Sequence, residues 1–327
     1  MPDFLQFALS LNGPDPGAAL AATEIARALA EEELAWVHLS ATDPASAAWI
    51  EENLSYLPAP VREALTAEAT RPRVSPQGDG AMVILRGVNT NPGADPEDMV
   101  SVRLWIDPAR IVSLSRRPLA AVAELQASIA AGEGPRDAGG FLADLLACLN
   151  AGIVARVDRL DEKAEIIEDG ALAGDDPGGL RHSVTDVRRE LAVLRRFLRP
   201  QRDAAATLTD GRLAWTGGDT RHLLVEVHDV LTRTVEDLDE LTERMAVARD
   251  EIASALSDRL NSNLFRLSLV SAIFLPLGFL TGLMGINLGG MPGASSDSAF
   301  WIFCAGLGVV LALLLVVLWW FRKPRRG

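Results

Sequence analysis

Carboxylates recur along one stretch of this chain at a spacing that puts them in a line. Asp229, Glu236, Glu243 and Asp250 stand seven residues apart, with Glu240 between them. The same register runs on through Ser257, Leu264, Ser271, Gly278 and Gly285, interleaved with Ser254, Asn261, Ser268, Leu275 and Gly282. At about 3.5 residues per turn these positions share one stripe of a helix. The stripe begins acidic, becomes small and polar, and ends small and apolar. Two readings of it stand side by side. In one, a solvated face turns into a packing face, because Gly278 and Gly282 form a GxxxG pair. In the other, the stripe lines an ion path, where carboxylates concentrate cations and small residues leave room for a hydrated ion.

Other site chemistry is sparse. The two lysines, Lys163 and Lys323, follow no Gly-rich loop, so there is no Walker A motif. Neither HExxH nor GxSxG occurs. Cys148 and Cys304 are far apart and form no CxxC, which excludes a disulfide scaffold and a Cys-rich zinc site. His38, His182, His222 and His228 are scattered. His222 and His228 share a helix at a spacing poor for chelation. His228, beside Asp229, reads as a solvated residue, or else as a proton-sensing or weak zinc site. An enzyme is therefore the least supported class, and no bound catalytic cofactor is expected.

The elements that carry the stripe divide the chain unevenly. Its 327 residues suggest about two structural units at ~150 residues each. Mean hydropathy is +0.17 despite 23% charged residues. Residues 1–262 hold 26 Lys/Arg and 43 Asp/Glu, a formal −17, whereas 263–327 hold five basic residues and one acid. An acidic body with an apolar tail excludes an ordinary soluble enzyme and argues against nucleic acid as a partner. Residues 267–286 and 299–321 are charge-free runs of 20 and 23 residues. A hydrocarbon core of ~30 Å needs ~20 helical residues, so each can span a bilayer once. Trp301, Trp319 and Trp320 lie near the ends of the second run, where indoles favour the interface. Arg259 and Arg266 precede the first run and RKPRR follows the second, while residues 287–298 hold no Lys or Arg. The positive-inside rule then predicts both termini in the cytoplasm.

Upstream, the apolar runs Phe4–Leu11, Ala35–Leu39, Ala81–Val88, Val100–Ile106 and Arg110–Ser115 read as strands separated by turns. The first of them stands in place of a signal peptide, since Asp3 precedes it and no basic residue does. Residues 44–70 read as helix broken at Pro58 and Pro60. Helices are predicted over 141–168 and 180–207. From Asp219 no Gly or Pro appears before Pro276. That is a helical pattern of roughly 85 Å running straight into the first apolar run. Within it Leu224, Leu231, Leu238, Met245 and Ile252 alternate with Val227, Thr234, Leu241, Ala248 and Ala255 as a second heptad seam, distinct from the acidic stripe. It predicts packing against the chain's own preceding helices, with packing against further copies as an additional claim. Two spans per chain cannot enclose an ion path, so a transporter requires a ring of copies.

At the end of the first apolar run stands Gly285-Ile286-Asn287, preceded by Ile273-Phe274-Leu275-Pro276-Leu277 and Thr281-Gly282-Leu283. This resembles the CorA superfamily of divalent-cation transporters, whose signature at that place is Gly-Met-Asn. The Ile variant, followed by Leu288-Gly289-Gly290-Met291-Pro292-Gly293, is similar to the ZntB zinc-transporting branch. The resemblance implies a CorA-like funnel. An α/β cytoplasmic domain over 1–136 leads to a helical stalk over 137–265, two transmembrane helices within 266–321 and a basic tail over 322–327. It implies a homopentamer in a bacterial-type inner membrane, whose stalk helix and first span line the pore. On that pattern Gly285, Ile286 and Asn287 form the outer mouth, where the Asn287 amide holds a cation through its water shell. Asn261 maps to a lower ring, Asp250 to an acidic stalk position, and Leu264, Leu267 and Leu275 to hydrophobic constrictions. Asp250, Ser257, Asn261, Leu264, Leu267, Ser268, Ser271, Leu275, Gly278 and Gly282 are thus the expected pore lining. Gly278 stands where relatives more often carry Thr, and Asp297 is the one acid of the outer loop; both favour the zinc branch. The expected cargo is Zn²⁺, with Mg²⁺ or Co²⁺ as the alternative, and the lipid bilayer and other copies of the chain are the expected partners. A membrane-anchored interaction protein that conducts nothing is the contrasting class.

Overall fold

The computed structural model describes residues 4–13, 15–30, 33–68, 70–95, 98–286, 293 and 296–322. Chain contacts divide it into two units, 1–252 and 253–327.

In the first unit six strands form one sheet: β1 (Leu5–Ser10), β2 (Ala35–Ser40), β3 (Arg73–Gln77), β4 (Gly80–Val88), β5 (Met99–Ile106) and β6 (Arg110–Ser115). Their spatial order is β1-β2-β6-β5-β4-β3. Among the described residues only β2 and β6 run parallel, Ala35 opposite Arg110 through Ser40 opposite Ser115. Alternation with period two sends successive side chains to opposite faces. Trp36, Val83, Leu85, Val102, Leu104 and Ile111 enter one core with Phe141, Leu142, Leu145 and Leu146. Val37, Leu39, Met82, Ile84, Val112 and Leu114 enter the other. Helices α1 (Ala22–Ala30), α2 (Pro44–Asn53) and α3 (Ala59–Thr66) cover that second face. The first face meets α4 (Ala120–Ala130) and α5 (Ala138–Ala173). This is the mixed α/β architecture expected of the N-terminal region, and β1, β2, β4, β5 and β6 match the strand-like runs within a residue or two.

The long helices follow. A three-residue turn joins α5 to α6 (Pro177–Thr209), much tighter than the break expected between 168 and 180. Gly174 closes α5 at φ +76°, and Asp176 caps α6 by accepting from Gly179 N at 3.0 Å. Helix α7 (Asp219–Met284) continues through Pro276, and α8 (Ala299–Arg322) completes the second unit. In the seam, Leu224, Val227, Leu231, Thr234, Leu238, Leu241, Met245, Ala248 and Ile252 are all buried. Ala255, the last seam residue expected, is exposed.

Two polar contacts tie the first unit together. Strand β3 pairs with β4 only as far as Arg73 opposite Ile84, so the next ladder position on β4, Arg86, has β5 on one side but no β3 residue paired with it on the other. Gln201 from α6 takes that place: Arg86 N donates to its Oε1 at 2.7 Å, and its Nε2 donates to Arg86 O at 3.1 Å. The side-chain amide thus stands in for a strand peptide. On the α4–α5 face, His38 lies between Ser113 Oγ (2.7 Å from Nδ1) and Ser115 Oγ (3.1 Å from Nε2) and stacks on Phe7. Burial lowers its pKa to about 4.

Gln201→Leu leaves both Arg86 backbone groups without partners and is expected to destabilise the protein by about 1–3 kcal/mol, read as a lower Tm. His38 stays neutral in the fold but charges near pH 6.5 when unfolded. Between pH 6.5 and 4 the unfolded chain binds the extra proton, so stability falls as pH drops through that window by about 3 kcal/mol. Thermal unfolding across this range is expected to show the loss, and His38→Gln to flatten it.

Candidate ion pathway

The acidic stripe and the buried seam occupy different faces of α7. With Leu231, Leu238 and Met245 buried, Asp229, Glu236, Glu240, Glu243 and Asp250 are exposed. The carboxylates are not on α7 alone. Burial raises the Asp237 pKa, helped by Glu240 and Glu236 and by Asp158 and Asp161 from α5. Arg244 divides this field: its Nε and Nη2 hold Glu168 at 2.9 and 2.8 Å, and its Nη1 holds Asp161 at 2.6 Å. The bidentate bond from Arg244 lowers the Glu168 pKa, and the two carboxylates raise that of Arg244. Asp250 is partnered too, with Arg249 Nη2 at 2.7 Å. Sequence reading singled out Asp250 but not its partner, nor the α5 acids. Their signal was available, since Asp158, Asp161, Glu165 and Glu168 recur at helical spacing.

In the second unit every described member of the expected lining lies open. Ser257, Asn261, Leu264, Leu267, Ser268, Ser271, Leu275, Gly278 and Gly282 are exposed or half-exposed, as are Gly285 and Ile286. Leu264, Leu267 and Leu275 show 61%, 65% and 74% of their surfaces, large values for leucine. The partly shielded residues of this stretch include Leu269, Ile273, Pro276, Leu277 and Leu280, which fall mainly on a different stripe. Ser257 and Ser271 donate back to the carbonyls of Ala253 (3.1 Å) and Leu267 (3.0 Å), leaving their oxygens to accept. A Cβ at Gly278 or Gly282 would meet nothing within 4 Å. Gly285 N donates to Thr281 O and Gly282 O at 3.0 and 3.1 Å, closing the helix. Asn287, the expected outer-mouth ligand, lies outside the described residues, as do Lys323, Arg325, Arg326 and the side chains of Trp319 and Arg322.

Among the described residues three helices are long and apolar enough to cross a membrane: α5, α7 and α8. In α5 more than half of the apolar window is buried in the fold, whereas none of the α7 or α8 window is. Among the described residues no three His, Cys, Asp or Glu side chains gather as a metal site.

The sequence model of the family described as CorA-like Mg²⁺ transporter protein matches residues 31–323. The chain belongs to the CorA family. CorA-family members are transporters rather than enzymes. The chain is 36% identical over 294 residues to a zinc transport protein ZntB of Pectobacterium atrosepticum, covering 90% of this chain and 88% of that one. It is 37% identical over 325 residues to the divalent cation transporter CmaX of Pseudomonas aeruginosa, covering 96% and 94%. The structure of a full-length CmaX protein superposes with a TM-score of 0.81 at 33% identity, covering 98% of this chain and 97% of that one. The fold of an α/β domain, long helices and apolar helices is thus the CorA fold throughout.

Asp237 is held among like charges, so its folded pKa lies above its unfolded value and the folded protein is the tighter proton binder. Stability is lost as pH rises through that folded pKa. Asp237→Asn is therefore expected to stabilise the fold at pH 7 by under about 1 kcal/mol after solvent screening, read as a higher Tm. The gain should shrink below about pH 4, where the wild-type carboxyl also protonates.

Proposed function

We propose that this chain carries a divalent cation, zinc first, through the axis of a ring of its own copies in a bacterial inner membrane. The observation that carries the reading is the uncovered stripe from Asp250 to Gly285, small and polar before it is small and apolar. An apolar helix left bare by its own chain needs lipid, a partner or both around it. In a homopentamer the stripe faces the axis and the lipid meets α8. Residues 267–286 and 299–321 are then the two spans, with both termini and the acidic body in the cytoplasm. On this reading residues 1–136 form the α/β domain, 137–265 the stalk and 322–327 the basic tail.

The polar lining suits a cation that keeps part of its water. Asn261, Ser268 and Ser271 offer oxygens rather than a chelating cage, and Asn287 holds the hydrated ion at the outer mouth. Leu264, Leu267 and Leu275 form rings that gate by dewetting. Carboxylates along the stalk raise the local cation concentration below. Zinc is favoured by the relative named for zinc transport and by an outer loop with Asp297 as its one acid. The family description favours Mg²⁺, with Co²⁺, as the second reading. Proton coupling is part of the zinc reading, although the first span has no titratable side chain in it.

Flux into proteoliposomes holding a zinc-sensitive dye tests the proposal, with and without a pH gradient and with excess Mg²⁺. Zinc entry that inward proton flow enhances and Mg²⁺ does not block is the expected result. Entry blocked by Mg²⁺ and indifferent to pH moves the assignment to the Mg²⁺/Co²⁺ channel. Asn287→Ala is expected to lower flux at least ~10-fold, the loss of an interaction of about 1.4 kcal/mol, with the oligomer intact. Unchanged function in that variant favours a non-conducting interaction protein.

A further inference from the structure

Arg103, in the middle of β5, is 0% exposed. Its Nη2 donates to the Glu68 carbonyl at a long 3.4 Å. Among the described residues its Nε and Nη1 have no hydrogen-bond partner. Both the Nε–Nη2 side and the Nη1–Nη2 end of the guanidinium therefore keep an unanswered N–H. Arg86, on neighbouring β4, donates from Nη1 to Met99 O at 2.6 Å and from Nη2 to Thr70 O at 2.9 Å, and lies 4.0 Å over the Phe197 ring. Its Nε is likewise unpaired, and so is the buried hydroxyl of Thr70.

Register brings a third cation to the same row. Arg86 lies opposite Ser101 on β5, and Arg116 follows Ser115, the partner of Val102. Arg86, Ser101 and Arg116 line a cavity of about 430 Å³ together with Glu68, Asp98 and Arg117, and Arg103 is not among its lining residues. The local carboxylates are weak counterweights. Asp98 is engaged by Arg117 at 2.9 Å, and Glu68, 3.5 Å from Arg116, is 88% exposed. Among the described residues neither Arg86 nor Arg103 has a carboxylate within ion-pair distance. Burial and the charges of Arg116 and Arg86 lower the Arg103 pKa to about 10, which leaves it charged at neutral pH.

Buried cations are normally paired, and two guanidinium groups on one cavity, with Arg103 on the same face of β5 two residues from Ser101, match an acceptor with several oxygens. Guanidinium groups fit tetrahedral oxyanions through paired N–H bonds, which a spherical ion cannot use as well. We infer that Arg86 and Arg116, supported by the buried charge of Arg103, form a binding site for a phosphate group, either free phosphate or the terminal phosphate of a nucleotide. The site lies within the first unit and is independent of the ion path.

The full chain in detergent tests this by titration calorimetry and thermal unfolding with inorganic phosphate, against chloride at matched ionic strength. Saturable binding and a rising Tm are expected with phosphate. Arg103→Met and Arg116→Gln are each expected to weaken phosphate binding at least tenfold. Without phosphate, Arg103→Met should unfold no lower than wild type, since it removes an unpaired buried charge, and phosphate should put wild type above it. Should Arg103→Met fail to fold, the half-exposed Arg116→Gln decides alone. No saturable phosphate effect, an equal effect in a folded variant, or equal potency of chloride overturns the proposal. ATP binding tighter than phosphate, and equally sensitive to Arg116→Gln, identifies a nucleotide; weaker ATP binding identifies the free ion.

Discussion

Burial of one seam on α7 governs how the rest of the molecule can be used. Nine seam residues from Leu224 to Ile252 are withdrawn from water. A helix that hides one stripe has no freedom to choose what it displays on the others. Once Leu231, Leu238 and Met245 are inside, Asp229, Glu236, Glu243 and Asp250 must be outside. The acidic face thus follows from hydrophobic burial and needs no separate device. Asn150, which donates to Val227 O at 3.0 Å, and the pair of Arg195 and Arg199 around Asp239, fix the same rotation with polar contacts.

The acidic face is less bare than its sequence suggests. Arg244 answers two carboxylates of α5, and Arg249 answers Asp250. What remains uncompensated lies around Asp237, where α5 and α7 both contribute acids. A field of this kind is graded rather than uniform: neutralised at two heights and repulsive at a third. In the second unit electrostatics gives way to side-chain size. Glycine and serine there leave open space that a Cβ at Gly278 or Gly282 would not yet fill.

Much of this was readable in the residues, and the exceptions have physical causes. The heptads forecast the seam, apart from Ala255, because a period of seven on a long helix permits one solution. Strands β2, β4 and β5 showed as apolar runs because both their faces are buried. Strand β3 (RVSPQ) gave no such signal: it is an edge strand, alternately exposed, with Pro76 in it. Helix α4 is short and alanine-rich, so its periodicity is faint, whereas α1 is amphipathic but only nine residues long. The stripe's positions came from spacing, whereas the role of Asn287 came only from resemblance. The cluster of Arg86, Arg103 and Arg116 could not have been found in this way. Its members are distant along the chain, and only strand register sets them side by side.

The amide of Gln201 has one more consequence. Where β3 stops short, β4 would present bare N–H and C=O groups, and an open edge of that sort accepts any passing strand. A protein that gathers with its own copies brings many identical edges close together. By occupying the ladder position itself, Gln201 makes the end of β4 a dead end for strand addition. The route by which strands of neighbouring molecules could pair into fibrous aggregates is thereby closed at that end of β4.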